Sequence, residues 1–305
     1  MKSPKVAIHI PIYNQPDKLR VCLDSIAQQT FLPDEVVLFD DCSSKSYESV
    51  LSNFKDLNIK YKRNSKNLGA VPNMLYSLYY QTDADYVNVF HEDDIMHPRF
   101  IETSIEALEK NPDSVYTYSL ISFFDNYKNI YIRNIDKKHM VIEDKSKLVQ
   151  LFLEGKTLGF GTVFYRKKLL KKVNFDFNKF SVFGDRPFLI ELSGINPIVV
   201  IFENIVYAYL SLDNDTRWDS LQVKHIFNLY KYYKSFKSSY FPKNDRKIFS
   251  SGITYGILYS YKLLIDRNKI NYILYLVSAY VKGLVNFKYL MLSLKGFRKF
   301  VESIK

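Results

Sequence analysis

The sequence predicts an α/β protein: a mostly parallel sheet flanked by helices, followed by a basic helical region on the C-terminal side. Three observations carry this. Short apolar runs of strand character alternate with amphipathic helical patterns through roughly the first 110 residues. Polar and acidic residues cluster where those runs end. No glycine-rich loop follows the first run, which counts against P-loop and dinucleotide-binding folds.

Val6–Ile12 (VAIHIPI) reads as a first buried strand ended by Tyr13-Asn14. Pro16-Asp17 opens a helix with Leu19, Cys22, Leu23 and Ile26 on one face. Glu35–Phe39 is a second strand, with Asp40 and Asp41 at its end. Ile59–Lys62 is a short third strand, Asn67-Leu68-Gly69 a turn, and Val71–Tyr80 a helix. Tyr86–Phe90 is a further strand, followed by His91, Glu92, Asp93 and Asp94. Pro98 then opens a helix with Phe100, Ile101, Ile105 and Leu108 on one face. Parallel order puts every strand's C-terminal end on one edge, where open α/β sheets bind ligands. That edge carries Tyr13, Asp40, Asp41 and the 91–94 cluster. Three adjacent carboxylates repel, and a divalent cation bound to phosphate would offset this. A solvated loop with one acid capping the next helix accounts for the same residues.

With 305 residues, 47% hydrophobic and 25% charged, the composition is that of a globular protein of one or two domains. The charge is uneven. From Thr216 to Lys305, 17 basic residues stand against four acidic ones, while residues 1–215 are close to neutral. A basic tail suggests an anionic partner. Cys22 and Cys42 make neither a disulfide framework nor a metal site, and free buried thiols fit a reducing cytoplasm. His9 and Pro11 interrupt the first apolar run, so it does not read as a signal peptide. No apolar stretch reaches the roughly 20 residues of a membrane span.

The segments HIPIYNQPDKLRVCLDSIAQQT, VVLFDDCSS, NLGAVPN and VFHEDDIMHP, in that order, resemble the family 2 glycosyltransferases of the GT-A, Rossmann-like fold. The resemblance implies transfer of a sugar, with inversion, from a nucleotide-diphosphate sugar, UDP-linked, to an acceptor hydroxyl. Pro11 and Tyr13 match the positions that stack the donor base, and Asp41 the position that accepts from the base N–H. Asn67 and Asn73 fall in the second nucleotide-contact segment, where turn and cap chemistry reads equally well. Pro72 stands where many members have arginine. His91 replaces the first acid of the D-x-D-type motif and reads as a loop filler. Asp93 and Asp94 remain to hold Mn2+ or Mg2+, with Asp93 also at the donor diphosphate.

Val115–Phe124 and Asn129–Ile135 read as strands joined through Asp125-Asn126, and Lys145–Glu154 as an amphipathic helix. Gly159–Tyr165 resembles the family's strand beside the acceptor, with glycines for close backbone approach. Asp185 precedes Pro187 at the start of a helix running to about Ser193. It reads as an N-cap or, by resemblance, as the general base; the two are compatible. Arg186 reads as an anion ligand or a surface ion pair. Leu212 stands where the family often has a metal-binding histidine, with Asp213 and Asp215 as substitutes.

The expected organisation is a GT-A catalytic domain over 1–215 and a basic helical region over 216–305. The donor-nucleotide half of the domain covers about 1–110 and the acceptor half about 111–215. Helices are expected at Leu221–Phe236, Ile248–Asp266, Asn268–Val285 and Tyr289–Ser303. The amphipathic stretch Phe287–Lys305 reads either as packed subdomain or as a contact with an anionic membrane surface, on the inner face of the membrane. That contact would suit a glycan or lipid-linked acceptor in cell-surface polysaccharide synthesis. No recognition motif points to nucleic acid. The alternative function is a catalytically degenerate nucleotide- or glycan-binding relative.

Overall fold

The computed structural model describes residues 3–124, 138–153, 159–170, 173, 175–180, 184–194, 196–209 and 223–236. The expected strand Asn129–Ile135, its Asp125-Asn126 turn, residues Leu212, Asp213 and Asp215, and the three helices expected beyond 236 lie outside them.

The alternation of the first run decides its place. In β1 (Val6–Ile12), Val6, Ile8, Ile10 and Ile12 turn to one face of the sheet, and Ala7 and His9 to the other. β1 pairs in parallel with β2 (Glu35–Asp40) and β4 (Tyr86–Val89), and β2 pairs in parallel with β3 (Ile59–Arg63). Beyond β4 the pairing is mixed. β8 (Val163–Arg166) runs antiparallel to both β4 and β6 (Tyr116–Phe124). β6 is parallel to β9 (Ile198–Tyr209), while β5 (Ile95–Met96) and β7 (His139–Ile142) run antiparallel to β9. The strand order is β3-β2-β1-β4-β8-β6-β9-β5. The expected mostly parallel order therefore holds through the first half. Periodicity marks a run as a strand but does not report which neighbour it meets, or in which direction.

Helices cover both faces. On one, α1 (Pro16–Ala27) and α4 (Phe100–Glu109) pack on β1, β2 and β9. Phe100, Ile101, Ile105 and Leu108 are all buried, at about 1.5–3 kcal/mol each. On the other, α3 (Ala70–Tyr79), α5 (Lys145–Leu153) and α6 (Asp185–Ser193) share a core with Val89, Tyr116 and Tyr118. A short α2 (Glu48–Leu51), not expected from sequence, follows the β2 loop. The helix expected at Pro98 begins at Phe100.

Two expectations in the second half are revised. The strand expected at Gly159–Tyr165 starts only at Val163, because Phe160–Thr162 close a 3-10 turn. Close approach holds at Gly159, where a Cβ would lie 3.0 Å from Ile121 Cδ1; at Gly161 it would meet only ordinary contacts, at 3.6 Å or more. In the basic region, α7 (Val223–Ser235) docks on the core: Tyr233 is buried in it, Tyr232 donates to Glu191 Oε1 (2.7 Å), and Asn228 donates to the Lys179 carbonyl (2.8 Å). Among the described residues no helix is long and apolar enough to cross a membrane.

Candidate active site

Parallel pairing of β1, β2 and β4 delivers three loops to one edge. The first leaves β1 at Tyr13. Asn14 adopts a left-handed conformation (φ 60°), which asparagine tolerates better than most residues. Its Oδ1 accepts the N–H groups of Ser44 (2.8 Å) and Lys45 (3.2 Å), tying this loop to the one after β2. Tyr13 is left 45% exposed, a ring available to a ligand, and Pro11 is partly exposed at the end of β1.

At the end of β2 two aspartates do different work. Asp40 is buried and faces Arg63, Tyr61 and the N–H of Ser43. Burial alone would raise its pKa, but these partners hold the carboxyl below its ordinary value. Asp41, 3% exposed, accepts from Asn64 Nδ2 (2.9 Å), Leu68 N–H (2.8 Å) and Gly69 N–H (2.8 Å). Its Oδ2 takes one of these bonds and keeps an acceptor position. Asn67 closes the turn locally by accepting the Gly69 N–H (2.9 Å). Asn73 is 2% exposed, and its amide lies between the Phe39 carbonyl (2.8 Å) and Asn64 (3.0 Å). Both amides are engaged within the chain. Asn64, which no motif marked, joins Asp41 to Asn73.

The third loop carries the acids. Ligand atoms of His91, Asp93 and Asp94 all lie within 4.8 Å of one another. Asp94 is nearly buried, accepting the Tyr209 N–H (3.1 Å) on Oδ1 and facing His91 Nδ1 (3.2 Å) with Oδ2. His91, read from the sequence as a loop filler, thus lies within the cluster and faces Asp94. The spacing of i and i+3 across a tight turn folds it back onto Asp94. Two carboxylates and an imidazole could hold a divalent metal ion. Glu92 points elsewhere. It is 7% exposed, accepts the Tyr13 N–H (2.8 Å) and the Tyr47 O–H (3.3 Å), and burial pushes its carboxyl up to about 8.

Asp185, near enough to His91 to feel its charge, is the first residue of α6. The N-cap position falls to Gly184, so Asp185 is not the N-cap the sequence offered; its Oδ1 accepts the N–H of its neighbour Arg186 (2.8 Å). Burial pushes its carboxyl above the ordinary value, against the pull of Arg186 and His91. The phenols of Tyr165 and Tyr233 in turn feel its charge. The Arg186 guanidinium lies 5.9 Å from the centre of the Phe152 ring. Cys22, beneath the cluster, donates its S–H to the His91 carbonyl (3.5 Å).

Known proteins share this sequence pattern and this fold. The model of a family described as glycosyl transferase family 2 matches residues 7–173. An uncharacterised glycosyltransferase of Methanocaldococcus jannaschii is 23% identical over 271 residues, covering 87% of this chain and 88% of the relative. Among solved structures, TarS of S. aureus in complex with UDP superposes with a TM-score of 0.55 at 20% identity, over 92% of each chain. The mannosyltransferase PcManGT of Pyrobaculum calidifontis, in complex with GDP-Man and Mn2+, gives 0.55 at 15% identity, over 99% of this chain and 81% of the other. At these identities the structural likeness establishes the fold.

Proposed function

This chain belongs to glycosyl transferase family 2 and is a glycosyltransferase of the GT-A fold, and on that premise we propose that it moves a sugar, with inversion, from a UDP-linked donor to a hydroxyl of a glycan or lipid-linked glycan in cell-surface polysaccharide synthesis. The observation that carries this is the grouping of His91, Asp93 and Asp94, next in sequence to Glu92, which holds the Tyr13 N–H, with His91 near enough to Asp185 to act on its carboxyl. UDP in the TarS complex and GDP-Man with Mn2+ in PcManGT support a nucleotide-sugar donor and a divalent cation. His91, Asp93 and Asp94 would hold that cation, Mn2+ or Mg2+, which when bound supplies Lewis acidity at the leaving diphosphate.

The chain's own residues divide the remaining work. Tyr13 and Pro11 offer a surface for the base, and Asp41 offers its remaining acceptor position to a base N–H. Asp185 takes the proton of the acceptor hydroxyl as the oxygen bonds to the anomeric carbon. The bond to the diphosphate breaks on the opposite face, and the diphosphate leaves with the electron pair. The raised pKa of Asp185 suits a base that must pick up a proton. Asn67 and Asn73 shape the donor edge through their bonds inside the chain.

The test is UDP release from UDP-sugars with Mn2+, with and without polyprenyl-linked glycan acceptors. Acceptor-dependent release supports transfer. Binding of UDP without release from any donor would instead favour a degenerate relative. The basic region 216–305 is proposed to bring the enzyme to an anionic membrane surface. Unchanged vesicle binding after removal of Phe287–Lys305 would count against that.

A further inference from the structure

Glu92 sits inside the acidic cluster in sequence but outside it in space. The three side chains whose ligand atoms converge are its neighbours His91, Asp93 and Asp94. Glu92 turns inward, 7% exposed, and spends both carboxylate oxygens on other loops. Oε1 accepts the N–H of Tyr13, 79 residues away, at 2.8 Å. Oε2 accepts the hydroxyl of Tyr47, 45 residues away, at 3.3 Å. That same hydroxyl oxygen accepts the N–H of Gln15 at 3.1 Å. Tyr47 is itself 2% exposed, so its ring cannot swing to solvent without opening the core.

One carboxylate therefore joins the loops that follow β1, β2 and β4. The Tyr13–Gln15 segment is gripped at both ends by the Glu92–Tyr47 pair, and in the middle by Asn14, whose Oδ1 holds Ser44 and Lys45. This segment carries the exposed Tyr13 ring. Glu92 is also covalently adjacent to Asp93. Its bond to Tyr13 thus sets the distance between the surface that receives a base and the carboxylate that faces a cation. A buried hydrogen bond made across 79 residues is a stiff way to set such a distance.

We propose that Glu92 is a positioning residue for the donor: with Tyr47 it fixes the spacing between the base platform at Tyr13 and the cation-facing Asp93, so that the site favours a nucleoside diphosphate over a monophosphate. This rests on the donor-site reading given above. Glu92 touches neither base nor cation, and it acts through the Tyr13 backbone. A ligand that spans the whole gap depends on the spacing. A ligand that occupies only the base end does not.

The experiment is calorimetric titration of UDP and UMP, each with Mn2+, into the full chain and its Glu92→Ala, Glu92→Gln and Tyr47→Phe variants. Glu92→Ala is expected to weaken UDP about tenfold and UMP less than about twofold. Glu92→Gln keeps an oxygen for the Tyr13 N–H and is expected to stay within about threefold of the wild type for UDP. Tyr47→Phe removes one arm and is expected to fall between them. Should Glu92→Ala fail to fold, as judged by its thermal transition, the Tyr47→Phe result decides. UDP affinity unchanged in the folded variants, or UDP and UMP weakened equally, would overturn the proposal. Wild-type protein that binds UDP poorly but UMP equally well would overturn it too. Wild-type protein that binds neither would remove the donor-site reading and this inference together.

Discussion

The two halves of the site are built from different material. On the proposed donor side, polar groups hold one another: Asp41 and Glu92 each accept at least two hydrogen bonds from loops distant in sequence, and Asp40 accepts from Tyr61 and Arg63 of β3. On the acceptor side, aromatic packing does the holding. Tyr116, Tyr118, Phe160, Tyr165 and Phe188 pack in one core cluster, and the Tyr165 phenol feels the charge of Asp185. Among the described residues, the buried hydroxyls of Tyr118 and Tyr165 have no protein partner. A satisfied polar network fixes distances and directions, whereas an aromatic wall fixes shape and excludes water. The first suits a ligand that must be read at several points. The second would suit the proposed role of Asp185, in which a reacting hydroxyl is shielded from water.

The comparison breaks first at the acids. Asp93→Ala removes a proposed cation ligand and is expected to lower transfer by roughly 10^3-fold or more, together with Mn2+-dependent nucleotide binding. Asp185→Asn is expected to lower turnover by about 10^2- to 10^4-fold while leaving UDP affinity within about twofold, since the group acts on the other half. Steady-state turnover alongside calorimetry separates the two. Equal losses of binding in both variants would erase the division between donor and acceptor sides.

Smaller effects test how each half is stabilised. His9 lies buried beneath the donor edge, with Nδ1 2.6 Å from the Ser77 carbonyl, and burial lowers its pKa from 6.5 to about 4. A lowered histidine pKa means that between these values the unfolded chain binds more protons than the folded one. Stability should therefore fall as pH drops through that window, by roughly 2–3 kcal/mol between pH 7 and 4.5. Urea denaturation of His9→Phe should show a slope shallower by that amount. Asn64→Ala cuts Asp41 from Asn73 and is expected to cost about 1–2 kcal/mol. Tyr165→Phe removes a hydroxyl without a protein partner and should change stability by less than about 0.5 kcal/mol. The reverse order for these two would mean that polar bonds do not hold the donor half.

The same division explains what the sequence discloses. β1, α1, β2 and β4 are legible because each repeats apolar residues at its own period, and parallel order then gathers their ends without knowledge of any contact. Asp41, Asp93 and Asp185 could be marked because their positions relative to strand ends and helix starts are local. The network was not legible. Glu92 meets Tyr13 across 79 residues and Asn64 meets Asp41 across 23, and no spacing encodes such pairs. The two-residue β5 and the antiparallel return of β8 escaped for a related reason: one is too short to show a period, and the other depends on which partner it finds. His91 looked like a departure from an acidic motif; only the turn that brings it to Asp94 shows that it stays in the cluster.

The most direct measurement is calorimetric titration of the wild-type protein with UDP, GDP, dTDP and CDP, each with and without Mn2+. Binding of one diphosphate that requires the ion is the predicted result, because the base platform and the His91, Asp93 and Asp94 cluster are then parts of one site. Diphosphate binding indifferent to the ion, or no binding by folded protein, would contradict it.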